Sequence, residues 1–263
     1  MPGRLLQGIR GSSVAALAAL AGCTSEDPLL DVEAGLFAPK LEGDVGLSLP
    51  NSRAVASLDV DGDLDLGATS FVPYVHGEFD LGRLNLAVSG FKTSSDGSSV
   101  LPAAFGNIPG GTAVTSDLDL ALANGRLVID VFDNDLFKIG AGLAAEWVDL
   151  KLDASAPSVG IAESISVQQI VPLIAAHAAA RLDLPFIMPL RFDVNAAGIT
   201  LDYGEIDGTV LDVEALLRGE LGRVGIFAGY RRVLAETRGR DDGQEFEGDV
   251  TLSGWLVGFS VRI

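Results

Sequence analysis

Several residue types are scarce in this chain of 263 residues, and each scarcity excludes a class of structure or partner. The single cysteine, Cys23, has no second cysteine with which to form an intrachain disulfide. Lys and Arg total 18 against 36 Asp and Glu, a balance that argues against nucleic acid as a partner. No run of about 18 apolar residues occurs, so the sequence offers no transmembrane helix.

The mean hydropathy is nevertheless positive, at +0.36, although the formal net charge is −18. Both values fit one chain if apolar side chains face lipid while charged side chains face water and an enclosed interior. The 32 glycines suit a barrel in which small residues must alternate inside. Without an apolar helix, a closed β-barrel is the structure that can cross a membrane with every backbone polar group paired.

The last thirteen residues, Thr251–Ile263, show the clearest alternation in the chain. Small or polar residues mostly occupy the positions between five apolar ones, namely Trp255, Val257, Phe259, Val261 and Ile263. This period of two predicts a strand with one apolar face. Such a C-terminal strand is typical of membrane barrels, which the last strand closes.

Similar alternation predicts ten antiparallel strands and therefore an all-β, up-and-down transmembrane barrel. Their predicted bounds are Leu29–Pro39, Thr69–Leu81, Leu84–Lys92, Ser116–Val131, Leu136–Asp153, Ser164–Leu184, Leu190–Tyr203, Thr209–Leu221, Val224–Glu236 and Val250–Ile263. The Gly-Arg pairs at 82–83 and 222–223 have turn chemistry. Changes in the phase of alternation near Asn124-Gly125 and at Gly198 predict glycine bulges.

The lengths of the predicted connections alternate along the chain. If the N-terminus is periplasmic, the short connections fall on the periplasmic side, at 82–83, 132–135, 185–189 and 222–223. The longer ones fall outside, at 40–68, 93–115, 154–163 and 237–249, with 204–208 as a short exception. Short periplasmic turns, longer outer loops and an even strand number are typical of bacterial outer-membrane barrels.

The segment Ile170–Arg181 fits either of two structures. It has good helix propensity, and Pro172 suits a first helical turn. As a strand it places Ile170, Ile174 and Leu182 outward and His177 inward. The even strand number favours the strand, since a lone helix here would reverse the side on which every later connection falls.

The N-terminus predicts export. Arg4 and Arg10 precede the short apolar stretch Val14–Ala21, as in a signal peptide covering residues 1–22. Leu20-Ala21-Gly22-Cys23 resembles the bacterial lipobox, which implies cleavage before Cys23 and acylation of its thiol. Ordinary signal-peptidase cleavage near Ala21 is the alternative. If Cys23 is acylated, residues 23–28 form a lipid-linked tether, and residues 29–263 form the barrel.

The strand pattern resembles the small outer-membrane β-barrel superfamily of Gram-negative bacteria, the porin-like and outer-membrane-protein-A-like barrels. The resemblance includes the terminal residues Gly258, Phe259, Val261 and Ile263, which are similar to the C-terminal signal read by the barrel assembly machinery. That signal usually ends on Phe, whereas this chain ends on Ile263. The resemblance implies outer-membrane lipid and the assembly machinery as partners, an outer-membrane location with both termini periplasmic, and no particular activity or cofactor.

Charged residues on the strands are expected to face the barrel interior. The expected set is Lys138, Glu146, Arg181, Asp183, Arg191, Asp193, Asp212, Glu214, Arg218, Glu220 and Arg231. A ten-stranded barrel is narrow enough for side chains to fill much of its interior. We therefore expect an ion-pair network that plugs the barrel, with a narrow conducting or proton path as the alternative.

Two further motifs suggest sites. The acidic segment Asp59–Gly67 resembles a calcium loop but lacks the glycine and glutamate of an EF-hand at the required positions. An acidic outer loop, with weak divalent-cation binding as an alternative, is the expectation. His76-Gly77-Glu78 places an imidazole and a carboxylate on one strand face, but no local motif supplies a nucleophile. We do not expect an enzyme.

The sequence therefore predicts a structural or envelope-interaction role for a small closed barrel. A narrow porin for small solutes is the first alternative. A lipid-modifying enzyme that uses His76 is the second. The third is a soluble periplasmic lipoprotein with a lipocalin-like barrel, since alternation alone does not say which face of a strand points outward.

Overall fold

The computed structural model describes residues 29–48, 57–67, 70–134, 136–182, 188–203, 206–241 and 244–263. These residues form eleven strands: β1 Leu30–Leu47, β2 Ser57–Asp59, β3 Val72–Asp80, β4 Leu84–Val100, β5 Ala113–Asp133, β6 Phe137–Ala156, β7 Ile161–Leu182, β8 Leu190–Tyr203, β9 Ile206–Leu221, β10 Val224–Asp241 and β11 Gln244–Arg262. Among them, no helix is long and apolar enough to cross a membrane. The predicted signal peptide, Cys23, the tether 23–28 and Asp183 lie outside the described residues.

The ten long strands close into a barrel. Each pairs antiparallel with its neighbours along the chain, and β11 pairs with β1 from Asp31–Arg262 to Leu47–Phe246. The short β2 pairs only with the far end of β1. The predicted fold class, an all-β closed antiparallel barrel of about ten strands, is confirmed.

The strand registers fix the dimensions of the barrel. A line of paired residues that starts at Leu30 crosses all ten long strands and returns to β1 at Glu42, twelve residues further along. With strands about 4.8 Å apart and a rise of about 3.3 Å per residue, this shear tilts the strands by about 40° and gives a backbone radius of about 10 Å. An interior of that width can be filled by side chains.

The connections alternate between the two ends of the barrel as predicted, but every connection at the end away from Ile263 is shorter than predicted. Tight turns with positive φ at Gly82 and Gly222 lie at the same end as Ile263, which pairs with Leu30. At the opposite end, the predicted loops 154–163 and 237–249 are wrong, because the strands continue to within four residues of each other. Outward residues become polar there, so the alternation fades while backbone pairing continues.

The segment with helix propensity is a strand. β7 pairs with β6 along Ile161–Ala180, and the helix alternative for Ile170–Arg181 is wrong. Ile174 is 66 % exposed on the outer face, whereas His177 is buried inside. Pairing with β6 therefore overrides the local helix propensity of the alanines.

The predicted glycine bulges are also wrong. β5 keeps one phase through Asn124, and its register shifts between Asp130 and Phe132 instead. The register of β8 is likewise unbroken through Gly198. The apparent phase change in β5 arises because its inward residues change from Asn124 and Arg126 to Leu118, Leu120 and Leu122.

An apolar belt surrounds the barrel on the half nearest the tight turns. Its exposed side chains include Val75, Val88, Ile129, Leu143, Ile174, Val257 and Phe259. On β11 the belt runs from Trp255 to Ile263, about 27 Å along the strand and about 20 Å along the barrel axis at a tilt of about 40°. The rings of Tyr230 and Trp255 pack edge to face, with centroids 5.2 Å apart, at the margin of the belt farthest from the tight turns.

Beyond the belt the outward residues are polar. Glu42, Asp44, Asp117 and Asp119 are all exposed on the outer face. In the belt half, the barrel is thus apolar outside and charged inside, the opposite of a soluble lipocalin-like barrel. The height of the belt, about 20 Å, is somewhat less than the apolar band of about 25 Å that outer-membrane barrels present to lipid.

Candidate functional site

The interior of the barrel is divided into two layers. In the half nearest the tight turns, the inward residues are mostly charged. In the other half they are apolar and merge with apolar residues from the outer connections. The layers arise because the inward residues of a strand change from charged or polar to apolar along its length, as on β5, where Arg126 and Asn124 give way to Leu122 and Leu120.

The part of the charged layer nearer the tight turns is built around Arg218. Its guanidinium, 1 % exposed, donates to Glu33 and Asp193 from two different nitrogens and lies 3.8 Å from Glu78. Arg191 donates to two of these three carboxylates, at 2.8 Å to Asp193 and 2.9 Å to Glu78. Two arginines and three carboxylates from β1, β3, β8 and β9 thus tie opposite walls together. We call these five residues the Arg218 cluster.

A second cluster, which we call the Arg231 cluster, lies farther from the tight turns. Its guanidinium makes a bidentate pair with Asp212, at 3.0 and 2.8 Å, and donates to the Ser89 hydroxyl at 3.3 Å. The Glu146 carboxylate lies 3.7 Å away, and the Phe91 ring lies 5.6 Å from the guanidinium carbon. Arg231, which already binds Asp212, is thus also the cation that faces the buried Glu146 carboxylate.

Tyr74 and His76 connect the two clusters. The Tyr74 hydroxyl donates to Glu214 at 2.7 Å and lies 3.3 Å from His76 Nδ1. Because the hydroxyl gives its one hydrogen to Glu214, a hydrogen bond with His76 requires a protonated Nδ1 that donates to the Tyr74 oxygen. His76 lies 3.7 Å from Glu214 and 3.9 Å from Glu33. The Glu33 carboxylate of the Arg218 cluster and the Glu214 carboxylate therefore lie beside one imidazole.

Replacing Tyr74 by Phe tests this connection. The change removes the hydroxyl, leaving a Glu214 oxygen and His76 Nδ1 without it, and should lower the free energy of unfolding by about 1–3 kcal/mol. Urea unfolding of the barrel in lipid vesicles measures the loss. Tyr230→Phe, on the outer face, is the control and should change stability by less than about 0.5 kcal/mol. Equal losses from both variants would contradict the buried network.

The end of the barrel with the tight turns is closed by further ion pairs. Arg262 lies 3.1 Å from Asp31 and donates to Glu220. Lys138 pairs with Asp80 at 3.0 Å. These side chains are 5–20 % exposed, so the ionic layer reaches the rim of the barrel.

The structure places the sequence-predicted charged residues at three levels. Lys138, Arg181 and Glu220 lie near the rim, Arg191, Asp193 and Arg218 form part of the Arg218 cluster, and Glu146, Asp212, Glu214 and Arg231 lie deeper. Sequence reasoning missed two acids of the first strand, Asp31 and Glu33, although they alternate with Leu30 and Val32. That alternation was the available signal.

The outer half of the interior is an apolar plug. Strand residues such as Phe37, Phe91 and Leu122 pack there with seven connection residues that are at most 2 % exposed: Leu58, Val60, Leu64, Leu66, Leu101, Phe105 and Ile108. Four of these belong to or border the acidic segment predicted as an outer loop. The segment therefore turns its apolar residues into the barrel.

Two aspartates of that segment stabilise its own turn. The Asp59 carboxylate accepts from the Gly62 amide, and the Asp63 carboxylate accepts from the Asp59 amide at 2.9 Å. Within the described ranges, no group of three or more His, Cys, Asp or Glu is arranged to hold a metal ion. Weak cation binding at the acidic loops stays a prediction.

A small cavity lies beside the Arg231 cluster. Its volume is about 20 Å³, and its lining includes His76, Asn124, Arg126 and Asn195. His76 Nε2, Arg126 Nε and Asn195 Oδ1 are buried without partners among the described atoms. A space of this size accommodates about one water molecule, which could hydrogen-bond to such groups.

The four residues of the predicted assembly signal occupy different environments. Phe259 and Val261 point outward in the apolar belt, 67 % and 48 % exposed, and the Ile263 amide donates to the Leu30 carbonyl at 2.9 Å. Gly258 faces inward, where a Cβ would meet the Phe227 ring. Its small size therefore serves packing inside the barrel. Recognition by the assembly machinery stays a prediction.

Comparison with solved structures agrees with this architecture. The outer membrane protease OmpT from Escherichia coli superimposes with a TM-score of 0.52 at 10 % identity, covering 89 % of this chain and 96 % of that one. The chain has an outer-membrane β-barrel fold. The transport unit of the Escherichia coli autotransporter AIDA-I is more distant, with a TM-score of 0.45, 8 % identity and 93 % of each chain covered.

The translocator domain of the Neisseria meningitidis autotransporter NalP superimposes with a TM-score of 0.43 at 12 % identity. The match covers 89 % of the present chain and 88 % of the NalP domain. No protein-family model and no curated protein sequence matches this chain. At 10 % identity, the likeness to OmpT concerns the fold alone.

Proposed function

We propose that this chain is an integral barrel of the bacterial outer membrane with a closed lumen and a structural or envelope-interaction role. The observation that carries the proposal is the filled interior. Arg218 and Arg231, each 1 % exposed, join opposite walls in the ionic layer, and the apolar plug covers that layer from outside. A solute entering from either end meets packed side chains.

The apolar belt supports the membrane location, because it would cost free energy to expose it to water. The tight turns and both described chain ends lie at one end of the barrel, as periplasmic turns do in bacterial barrels. Only residues 24–29 separate Cys23 from β1, a reach of about 20 Å. An acylated Cys23 would therefore insert in the leaflet on the periplasmic side.

We propose a role without catalysis. His76, the candidate general base, is 4 % exposed and lies within reach of Tyr74, Glu214 and Glu33. It lies inside the barrel and away from its mouths.

Heat-modifiability and conductance together test the proposal. The outer-membrane fraction should contain a band whose mobility on SDS gels changes on boiling, as expected of a closed barrel. The same unboiled protein in a planar lipid bilayer should show no conductance steps, because the lumen is filled. The heat shift is the control that folded barrel was added.

A narrow channel is the second candidate, and the cavity beside Arg126 is the observation that favours it. Unpartnered buried polar atoms line that cavity, and water there would be one element of a conducting path. Reproducible conductance steps from protein that shows the heat shift would reject the closed lumen and establish the channel.

A further inference from the structure

The wall of the barrel is incomplete between β7 and β8. β8 pairs with β7 only from Leu182–Leu190 to Ile174–Gly198. Above that pair, β7 continues to Ile161 bonded to β6, while β8 turns into its hairpin with β9. Among the described residues, positions 161–173 of β7 therefore have no strand on their second edge.

Pro172 explains where the pairing stops. The Arg181 amide donates to Leu136, beside β6, and the β6–β7 register is unbroken. Amides of odd-numbered β7 residues therefore face β6, and those of even-numbered residues face β8. Position 172 is the next donor position toward β8 beyond Ile174, and proline has no amide hydrogen.

The open edge of β7 is rich in hydrogen-bonding groups. By the same parity, the amides and carbonyls of five residues point away from β6: Ala162, Ser164, Ser166, Gln168 and Ile170. Residues 166–170 are exposed on both faces of the strand. Even Gln169, on the inward face, is exposed, so the barrel interior does not cover this part of β7.

Between Glu163 and Pro172, the edge also lacks the features that protect exposed strands. Soluble and membrane proteins usually block an open edge with Lys, Pro, a bulge or a covering loop. Residues 164–171 contain no charged residue, no proline and no glycine, and their register with β6 contains no bulge. Their sequence, rich in Ile, Val and Ser, is compatible with pairing to a further strand.

We propose that the free edge of β7 docks an extended segment of another envelope protein by strand addition, with basic residues flanking the paired stretch. Strand addition uses backbone hydrogen bonds for affinity, and the edge supplies them. Near this edge, Asp149 and Asp153 on β6 and Glu163 on β7 outnumber Lys151, in a chain of net charge −18. Lys151 pairs with Asp153 and Glu163 accepts from Asn107, so Asp149 supplies the uncompensated charge. The inference rests on the proposed envelope-interaction role and names the surface that performs it.

A second copy of the chain fits the edge poorly. Two copies inserted in one membrane are related by an axis along the membrane normal. At a strand tilt of about 40°, their β7 strands would cross at about 80°, which prevents a ladder of hydrogen bonds. The β8–β9 hairpin is already paired with itself through Tyr203–Ile206.

The test uses a short synthetic peptide in which Thr and Val alternate between terminal lysines. We expect the detergent-folded barrel to bind the fluorescently labelled peptide in an anisotropy titration. Ser166→Pro removes an amide that faces the open edge and should weaken binding about tenfold or more. Ser166→Thr keeps the amide and should bind like the unchanged chain, and a peptide N-methylated along one edge should not bind.

The parity of β7 supplies an internal check. Val167→Pro removes an amide that bonds to β6 and should lower the thermal stability of the barrel, whereas Ser166→Pro should not. The proposal is overturned if the unchanged chain does not bind the peptide, or if Ser166→Pro binds it equally well. A dimer that Ser166→Pro converts to a monomer in light scattering would instead place a second copy on the edge.

Failure of this inference is distinguishable from failure of the proposed function. A barrel that shows the heat shift and no conductance but binds no peptide would reject the docking edge alone. A barrel that conducts would reject the closed lumen, whatever the peptide does.

Discussion

Replacing Arg218 by Ala should destabilise the barrel by about 3–5 kcal/mol, because it leaves buried carboxylates without their cation. Glu33, Asp193 and Glu78 all approach this guanidinium, and only Asp193 and Glu78 retain a second arginine, Arg191. The loss is measured as the change in free energy of urea unfolding in vesicles of fixed composition. No loss would mean that the Arg218 cluster is not formed.

A surface ion pair provides the matched control. Arg238 lies 2.9 Å from Glu247, but its side chain is 76 % exposed. Arg238→Ala should cost less than about 1 kcal/mol, since water solvates both partners. Similar losses for Arg238→Ala and Arg218→Ala would indicate that the interior charges are solvated like those on the surface, as in an open lumen.

Arginine in place of Leu143 should prevent or severely weaken assembly in the membrane. Leu143 is 66 % exposed near the middle of the apolar belt on β6, and a charge on the lipid face at mid-bilayer costs about 2–4 kcal/mol. The yield of heat-modifiable protein in the outer-membrane fraction measures the effect. Ser94→Arg, outward on β4 beyond the belt, should assemble normally.

These two arginine variants also decide between lipid and water outside the barrel. If the belt faced water, as in a soluble lipoprotein, Leu143→Arg would assemble as well as Ser94→Arg. Both proteins would then be released from membranes when Cys23 is replaced by Ser.

Alternation was sufficient to predict the barrel in its lower half, where the two faces of each strand differ most. Phe192 and Asp193, for example, are 45 % and 1 % exposed, and their order in the sequence distinguishes the faces. Beyond the belt, away from the tight turns, the contrast reverses, so that apolar residues point inward and polar residues outward. Leu118 points inward and Asp117 outward, and the reversal was misread as a bulge near Asn124-Gly125.

The clusters themselves were less accessible to prediction than the strands. Each inward charge could be recognised from its strand, but partners such as Arg218 and Glu33 are separated by 185 positions. Their contact depends on the shear of the barrel, which no single strand specifies. The plug residues Leu58, Val60, Leu64 and Leu66 alternate with acidic residues or glycine, but this alternation does not show that the segment folds into the mouth of the barrel. Phe105 and Ile108 belong to no alternating run.

The pairing of the last strand with the first has a kinetic consequence. Arg262 and Asp31 are 231 positions apart, so the seam that closes the barrel joins the most distant parts of the chain. Contacts of such long range form slowly, and until they form both β1 and β11 present open edges that can aggregate. We therefore expect the time between translocation and closure to be the vulnerable period of this protein, during which it depends on chaperones to hold the unpaired strands apart.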